Sequence, residues 1–299
     1  MADIALRFNR DMLVLSSPLE PVLARQGYNV EDDLEFTGIV EPEAIRGVLQ
    51  LNQVAGAQCL VTNTAGITPA RLAVRRMDGR AAEIVNAALG VVAELRPQHI
   101  FAEIGPCGLP LDTSSKASVK ENCAQYVRAA QVFTGREIDA FFLNGFSVPG
   151  DLMCALEGIA QESTRPIIAS VDVDAQGMLA DGRHTLEEAF AVMVQHGAAV
   201  AGFATTAPLG RAEAFARRAS GLGSLPVLVQ LGVKEVAPKQ GEATDKNPYY
   251  CADTMIEAAT RLRGAGAQFL RAVGAATPAY TGALVAASEG FNVMRRVEA

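Results

Sequence analysis

The chain has 299 residues, 49% of them hydrophobic and none of them tryptophan, which is enough apolar material for one large core. Its net charge of −7 comes from 26 basic and 33 acidic residues, and the cations are scattered; the tightest group is Arg71, Arg75 and Arg76. That pattern excludes a nucleic-acid or anionic-membrane surface, whose affinity comes from clustered Lys and Arg.

Charges at Asp3, Arg7, Arg10 and Asp11 interrupt any apolar leader, and no apolar run reaches the length of a membrane span. A first strand is expected in MLVLSS (12–17), followed by an amphipathic helix over 43–54. QCLVTN (58–63) reads as the second strand and the Ala-rich 80–95 as its helix. HIFAEIG (99–105) precedes a helix near 118–133, and AFFLNGF (140–146) one near 150–161. PIIASVDV (166–173) leads to a helix opened by Thr185 with Glu188 three residues on, a capping box. AAVAGFATT (198–206) precedes helix 211–220, PVLVQLG (226–232) precedes helix 252–264, and QFLRAVG (268–274) precedes helix 277–288. The polar stretch 233–250 is the one long insertion, and a segment of that kind usually serves as a lid or a mobile loop.

Eight strand-then-helix units with near-continuous apolar strands predict an α/β fold, a (β/α)8 TIM barrel forming one domain over 1–299. A doubly wound open sheet is the alternative. In a barrel the strand C-termini define the site, and here they offer Asn63, Glu103, Asn144, Asp172, Asp174, Thr205, Thr206, Gln230 and Arg271. Glu103 and Arg271 sit late in apolar strands, where charges must pair to offset desolvation. They are expected either to plug the barrel as a structural ion pair or to fix a small charged ligand at its mouth. Arg271 shares a face with Val273, and Glu103 with Gly105, but the strand pattern leaves the inward face undecided. His184 is the histidine nearest the mouth; it reads either as a ligand contact or as a solvated loop residue. His99 starts a strand at the opposite end, and His196 ends a helix.

The five cysteines, Cys59, Cys107, Cys123, Cys154 and Cys251, include no CxxC pair, so reduced thiols in a cytoplasmic protein are expected and a zinc knuckle is not. Cys107, in IGPCG, has no His partner legible in the chain and reads as structural.

The segments AGAQCLVTNTAGI (55–67), EIGPCG (103–108), VDVDAQGMLADGRHTLEEAF (171–190), AGFATT (201–206) and AVGAATPAY (272–280) stand in an order that resembles the homocysteine S-methyltransferase family. That family includes betaine–homocysteine methyltransferases and the homocysteine-binding module of cobalamin-dependent methionine synthase. The resemblance runs from about residue 12 to 288. It implies a barrel in which three Cys thiolates hold a zinc ion that activates the homocysteine sulfur. The corresponding positions here are Thr205, Val273 and Gly274, none of which carries a thiol. Ser16 and Asn144 stand where the resemblance implies carboxylates for the substrate amino group. The expectation is therefore a methyltransferase-like barrel with the zinc site lost and no cofactor, acting if at all on an unknown small molecule. A non-catalytic binding or partner subunit and a barrel lyase or hydrolase using Glu103 are the alternatives. Homo-oligomerisation and a partner in a methyl-transfer system stay open.

Overall fold

The computed structural model of the protein describes residues 3–30, 34–235 and 244–293. After a short 3-10 turn at Ile4–Arg7, the elements run β1 (Leu13–Val14), α1 (Glu20–Arg25), α2 (Leu34–Val40), α3 (Pro42–Val54), β2 (Cys59–Val61), α4 (Pro69–Val74) and α5 (Ala81–Leu95). They continue β3 (His99–Ile104), α6 (Lys116–Gln131), β4 (Ala140–Phe146), α7 (Pro149–Glu162), β5 (Ile167–Val173) and α8 (Leu186–Gln195). The last units are β6 (Val200–Thr205), α9 (Leu209–Gly221), β7 (Val227–Val233), α10 (Thr254–Gly264), β8 (Ala267–Gly274) and α11 (Pro278–Ser288).

The eight strands pair in parallel in the order β1-β8-β7-β6-β5-β4-β3-β2. A parallel bridge between Leu15 and Cys59, with Ser16 N–H donating to the Cys59 carbonyl at 2.9 Å, joins β1 to β2 and closes the ring. The fold is a (β/α)8 barrel; each crossover carries a helix because a parallel sheet must cover both faces. Local chemistry supports the handovers from strand to helix. Proline opens α3, α4, α7 and α11, where its missing N–H has no intrahelical partner to lose. Thr185 and Glu188 make the expected capping box at α8. Three short helices, α1, α2 and α4, go beyond the elements legible in the chain; each spans only one or two turns.

Apolar side chains form two cores. One lies between strands and helices and includes Val14, Leu60, Ala102, Leu143, Ala169, Phe203, Val229 and Leu270. The other fills the barrel with Leu13, Leu15, Cys59, Val61, Phe101, Phe142, Ile168, Val200, Leu228 and Phe269. The interior core ends at the bottom against Ile4 and Phe8, whose ring meets Phe269 edge-on at 6.0 Å. Arg7 completes that floor by bonding Gln98 at 2.8 Å and His99 at 3.2 Å. Residues 236–243 of the long polar loop lie outside the described residues. No helix among the described residues is long and apolar enough to cross a membrane.

Candidate functional site

The interior core settles which face of each strand looks inward. Side chains alternate along a strand, so two positions above Phe101, Phe142, Ile168, Leu228 and Phe269 stand Glu103, Asn144, Ser170, Gln230 and Arg271. These five polar residues meet across the barrel. Asn144 Nδ2 donates to Glu103 Oε1 at 2.6 Å, and Gln230 Nε2 donates to Asn144 Oδ1 at 2.8 Å and to Ser170 Oγ at 2.7 Å. Arg271 Nη1 donates to Gln230 Oε1 at 3.3 Å and faces Glu103 Oε1 at 3.7 Å, closing a ring of four side chains. Its Nε donates to the Ser16 carbonyl at 2.9 Å, and its guanidinium lies over the Phe142 ring at 5.3 Å. Arg271 Nη2 and Glu103 Oε2 keep no hydrogen-bond partner among the described residues.

Asp172 is the next inward residue on β5. It is exposed and has no hydrogen-bond or ion-pair partner among the described residues, so it stands as a free carboxylate at the lip of the barrel. The remaining candidates have local duties. Asn63 donates to the Leu34 carbonyl at 2.7 Å and ties the start of α2 to the top of β2. Thr205 shares the outward face of Ala201 and Phe203, is buried, and accepts from the Ala207 N–H at 3.1 Å. His184 turns its Nδ1 onto Asp181 Oδ2 at 2.5 Å within the loop after β5. Asp174 lies beyond the end of β5 and caps that same loop through the Gln176 and Met178 N–H groups. Cys107 is buried, its sulfur 3.2 Å from Asn122 Oδ1 and its N–H bonded to the Tyr126 hydroxyl at 2.8 Å.

Two contributors escaped the reading of the chain. Ser170 shares a face with Asp172, and that parity was the signal for it. Glu35 sits in the apolar stretch LEFTGIV, yet it is buried, accepts from the Gly66 N–H at 2.6 Å and pairs with Arg75. A Cβ at Gly66 would stand 2.3 Å from Glu35 Oε1, so only glycine lets the loop after β2 approach that carboxylate.

The electrostatics of the mouth are set by desolvation. Burial raises Glu103 above the ordinary carboxylate range; Arg271 and the Asn144 hydrogen bond act against it, and repulsion from Glu20 at the start of α1 adds to it. Asp172 is raised as well: its side chain opens at the lip, but the strand ends packed around it strip part of its hydration. In the neighbouring loop burial alone would raise Asp181, but the Arg183 and His184 N–H groups and the His184 ring hold it down to about 2.

The positions that the resemblance assigns to zinc ligands do not fit a zinc ion. Thr205 directs its hydroxyl into its own turn, Val273 is aliphatic, and Gly274 has no side chain. Gly274 also has a φ of +67°, and a Cβ there would meet the Val233 carbonyl oxygen at 2.4 Å. Four of the five cysteines sit on β2, in the loop after β3, on α6 and on α7, and Cys251 precedes α10. No group of three or more His, Cys, Asp or Glu able to hold a metal exists among the described residues.

Fold and site together define a (β/α)8 barrel whose C-terminal mouth is floored by a polar ring and rimmed by a free carboxylate. Residues 15–276 match the family described as homocysteine S-methyltransferase, and the chain belongs to that family. It is 29% identical over 150 residues to the homocysteine S-methyltransferase of Escherichia coli strain K12, a match that spans 48% of that relative's length. The crystal structure of the homocysteine methyltransferase MmuM from Escherichia coli in its metallated form superposes with a TM-score of 0.74 at 19% identity, covering 92% of this chain and 96% of that one. The apo form of the same protein gives a TM-score of 0.70 at 18% identity, covering 93% and 96%.

Proposed function

We propose that this family member handles a small molecule at the C-terminal mouth of its barrel without zinc, using the ring of Arg271, Gln230, Asn144 and Glu103 in place of a metal-bound thiolate. The observation that carries this reading is at Gly274. The family's adjacent thiol positions are filled by an aliphatic side chain and by a backbone with no room for a Cβ, and the nearest inward charged group is Arg271.

The ring suits proton transfer. A methyl transfer without a metal needs its nucleophile deprotonated by a positioned base, and Glu103 is a desolvated carboxylate oriented by Asn144. The same residue would serve a lyase or hydrolase, which is the second reading. Asn144 is itself held by Gln230, and Gln230 by Ser170 and Arg271, so the carboxylate sits on a supported lattice of amides. Arg271 Nη2 offers one free donor to an anionic or carbonyl oxygen, and Asp172 offers an acceptor at the lip.

The experiment is a thermal-shift screen of amino acids, methyl donors and corrinoids on the wild type and on Asp172→Asn, paired with metal analysis. A ligand that binds only the folded chain raises the melting temperature with the logarithm of its concentration. The reading expects a shift that is lost in the variant, and no stoichiometric zinc. One equivalent of tightly held zinc whose removal abolishes activity overturns it. Failure of every compound class favours a non-catalytic subunit serving an active partner.

A further inference from the structure

Cys123 on α6 and Cys154 on α7 are neighbours across the α6–α7 seam, Cys154 lying against the turn of α6 that runs from Val119 to Cys123. The two helices are at close approach here: a Cβ on Gly158 would stand 2.7 Å from the Cys123 carbonyl oxygen and 2.9 Å from Tyr126 Cβ. One turn earlier on α7, Cys154 lies with its sulfur 3.8 Å from the Val119 carbonyl, between two successive turns of α6. Cys154 is fully buried, whereas Cys123 is partly exposed and opens onto a groove of about 700 Å³ that also borders Lys116, Lys120, Arg128 and Met153. The other cysteines are placed differently. Cys59 lies inside the barrel, Cys107 is engaged by Asn122 and Asp151, and Cys251 precedes α10.

We propose that Cys123 and Cys154 are an oxidation site: a peroxide entering by the groove converts them to a disulfide that staples α6 to α7. The Cys123 sulfur attacks the peroxide, an S–O bond forms and the O–O bond breaks, and the released hydroxide leaves as water with the thiol proton. The Cys154 sulfur then attacks the sulfenic sulfur; an S–S bond forms, the S–O bond breaks, and the hydroxyl leaves with the Cys154 proton as a second water. The two thiols lose two electrons and the peroxide gains them. Cys123 is the attacking thiol because it is the one the groove reaches, and Cys154 is the resolving thiol because it is the cysteine across the helix seam from it.

The staple closes a long loop, from residue 123 to 154, and such cross-links stabilise chiefly by restricting the unfolded chain. It also lies along the seam where Tyr126 donates to Asp151 Oδ1 at 2.7 Å and holds the Cys107 N–H, so it fixes the loop that follows Glu103. Burial raises both thiols above their ordinary range, so the reaction is slow near neutral pH and accelerates as pH rises.

The test uses the full chain treated with hydrogen peroxide, quenched by denaturation with an alkylating agent. Free thiols are expected to fall from five to three as two are consumed, with the cross-linked peptide mapped to Cys123 and Cys154 and the melting temperature raised. Cys154→Ala should stop the reaction at a Cys123 sulfenic acid, trapped by a dimedone probe, with no disulfide and no rise in melting temperature. A disulfide that persists in Cys154→Ala, oxidation confined to Cys251, or a wild-type chain in which Cys123 is oxidised while Cys154 stays free overturns the proposal.

Discussion

Arg271 reaches from β8 to β1, where its Nε hydrogen bonds the backbone carbonyl of Ser16. Ser16 stands where the family resemblance implies an aspartate for the substrate amine, so the chain meets that point with a backbone acceptor and a cation from across the seam. The arginine thereby acts at once as a strand fastener and as the partner of Glu103.

Replacing Arg271 by Ala should therefore be strongly destabilising. The side chains of Arg271 and Glu103 are 4% and 15% exposed, which places the pair among buried ion pairs, where removing one partner costs about 3–5 kcal/mol. Adding Glu103→Gln to Arg271→Ala should recover part of the loss, because the stranded carboxylate is gone. Urea midpoints read both effects; a single variant that unfolds at the wild-type midpoint would show that the arginine holds nothing.

The pH dependence of stability should carry the signature of Glu103. Its folded-state pKa lies above the ordinary 4.5, chiefly through burial, so the folded chain holds the proton more tightly than the unfolded one. Its contribution is fully present below 4.5 and is lost as pH rises through the raised value. Asp172 and Asp151 act with the same sign. Asp181, held down to about 2, acts with the opposite sign: its contribution is present above 3.8 and is lost as pH falls through about 2. Subtracting the Glu103→Gln curve from that of the wild type should leave a difference that falls with rising pH from about 4.5 upward, and parallel curves would refute it.

Gly274→Ala should destabilise the barrel by about 1–3 kcal/mol, since it forces a side chain into the left-handed region and against the Val233 carbonyl. For the same reason the triple variant Thr205→Cys, Val273→Cys, Gly274→Cys should fail to bind one equivalent of zinc. Metal content after dialysis against a weak chelator reads the outcome, and a stoichiometric, tightly held ion in that variant would show that the backbone can accommodate the ligand set.

Asp172→Asn separates stability from binding. The carboxylate is unpaired and open at the lip, so losing its charge should leave stability within about 0.5 kcal/mol of wild type at neutral pH. Any ligand that shifts the melting temperature of the wild type should lose that shift in the variant. An unchanged ligand shift would remove Asp172 from the site.

The barrel was legible because eight apolar runs alternate with helical patterns, and each strand appears within a residue or three of its expected limits. The direction of Glu103 and Arg271 was not legible. Strands covered on both faces are apolar at every position, so parity pairs residues without saying which set looks inward; Phe101, Phe142 and Phe269 decide that only once they are packed together. Thr205 was placed at the mouth by its position at a strand end, yet its odd step from Val200 turns it toward the helices. The short helices α1, α2 and α4 lack a full amphipathic period and are held by tertiary partners such as the Asn63–Leu34 bond.

Among the described residues, the plug of Ile4, Arg7 and Phe8 beneath Phe269 closes the bottom of the barrel. With that end packed, a small molecule meeting the polar ring would come from the side carrying Asp172 and leave the same way. A reaction between two molecules there would bring both to the same end of the barrel, the first bound lying deeper than the second. Product inhibition patterns would then report the order of stacking.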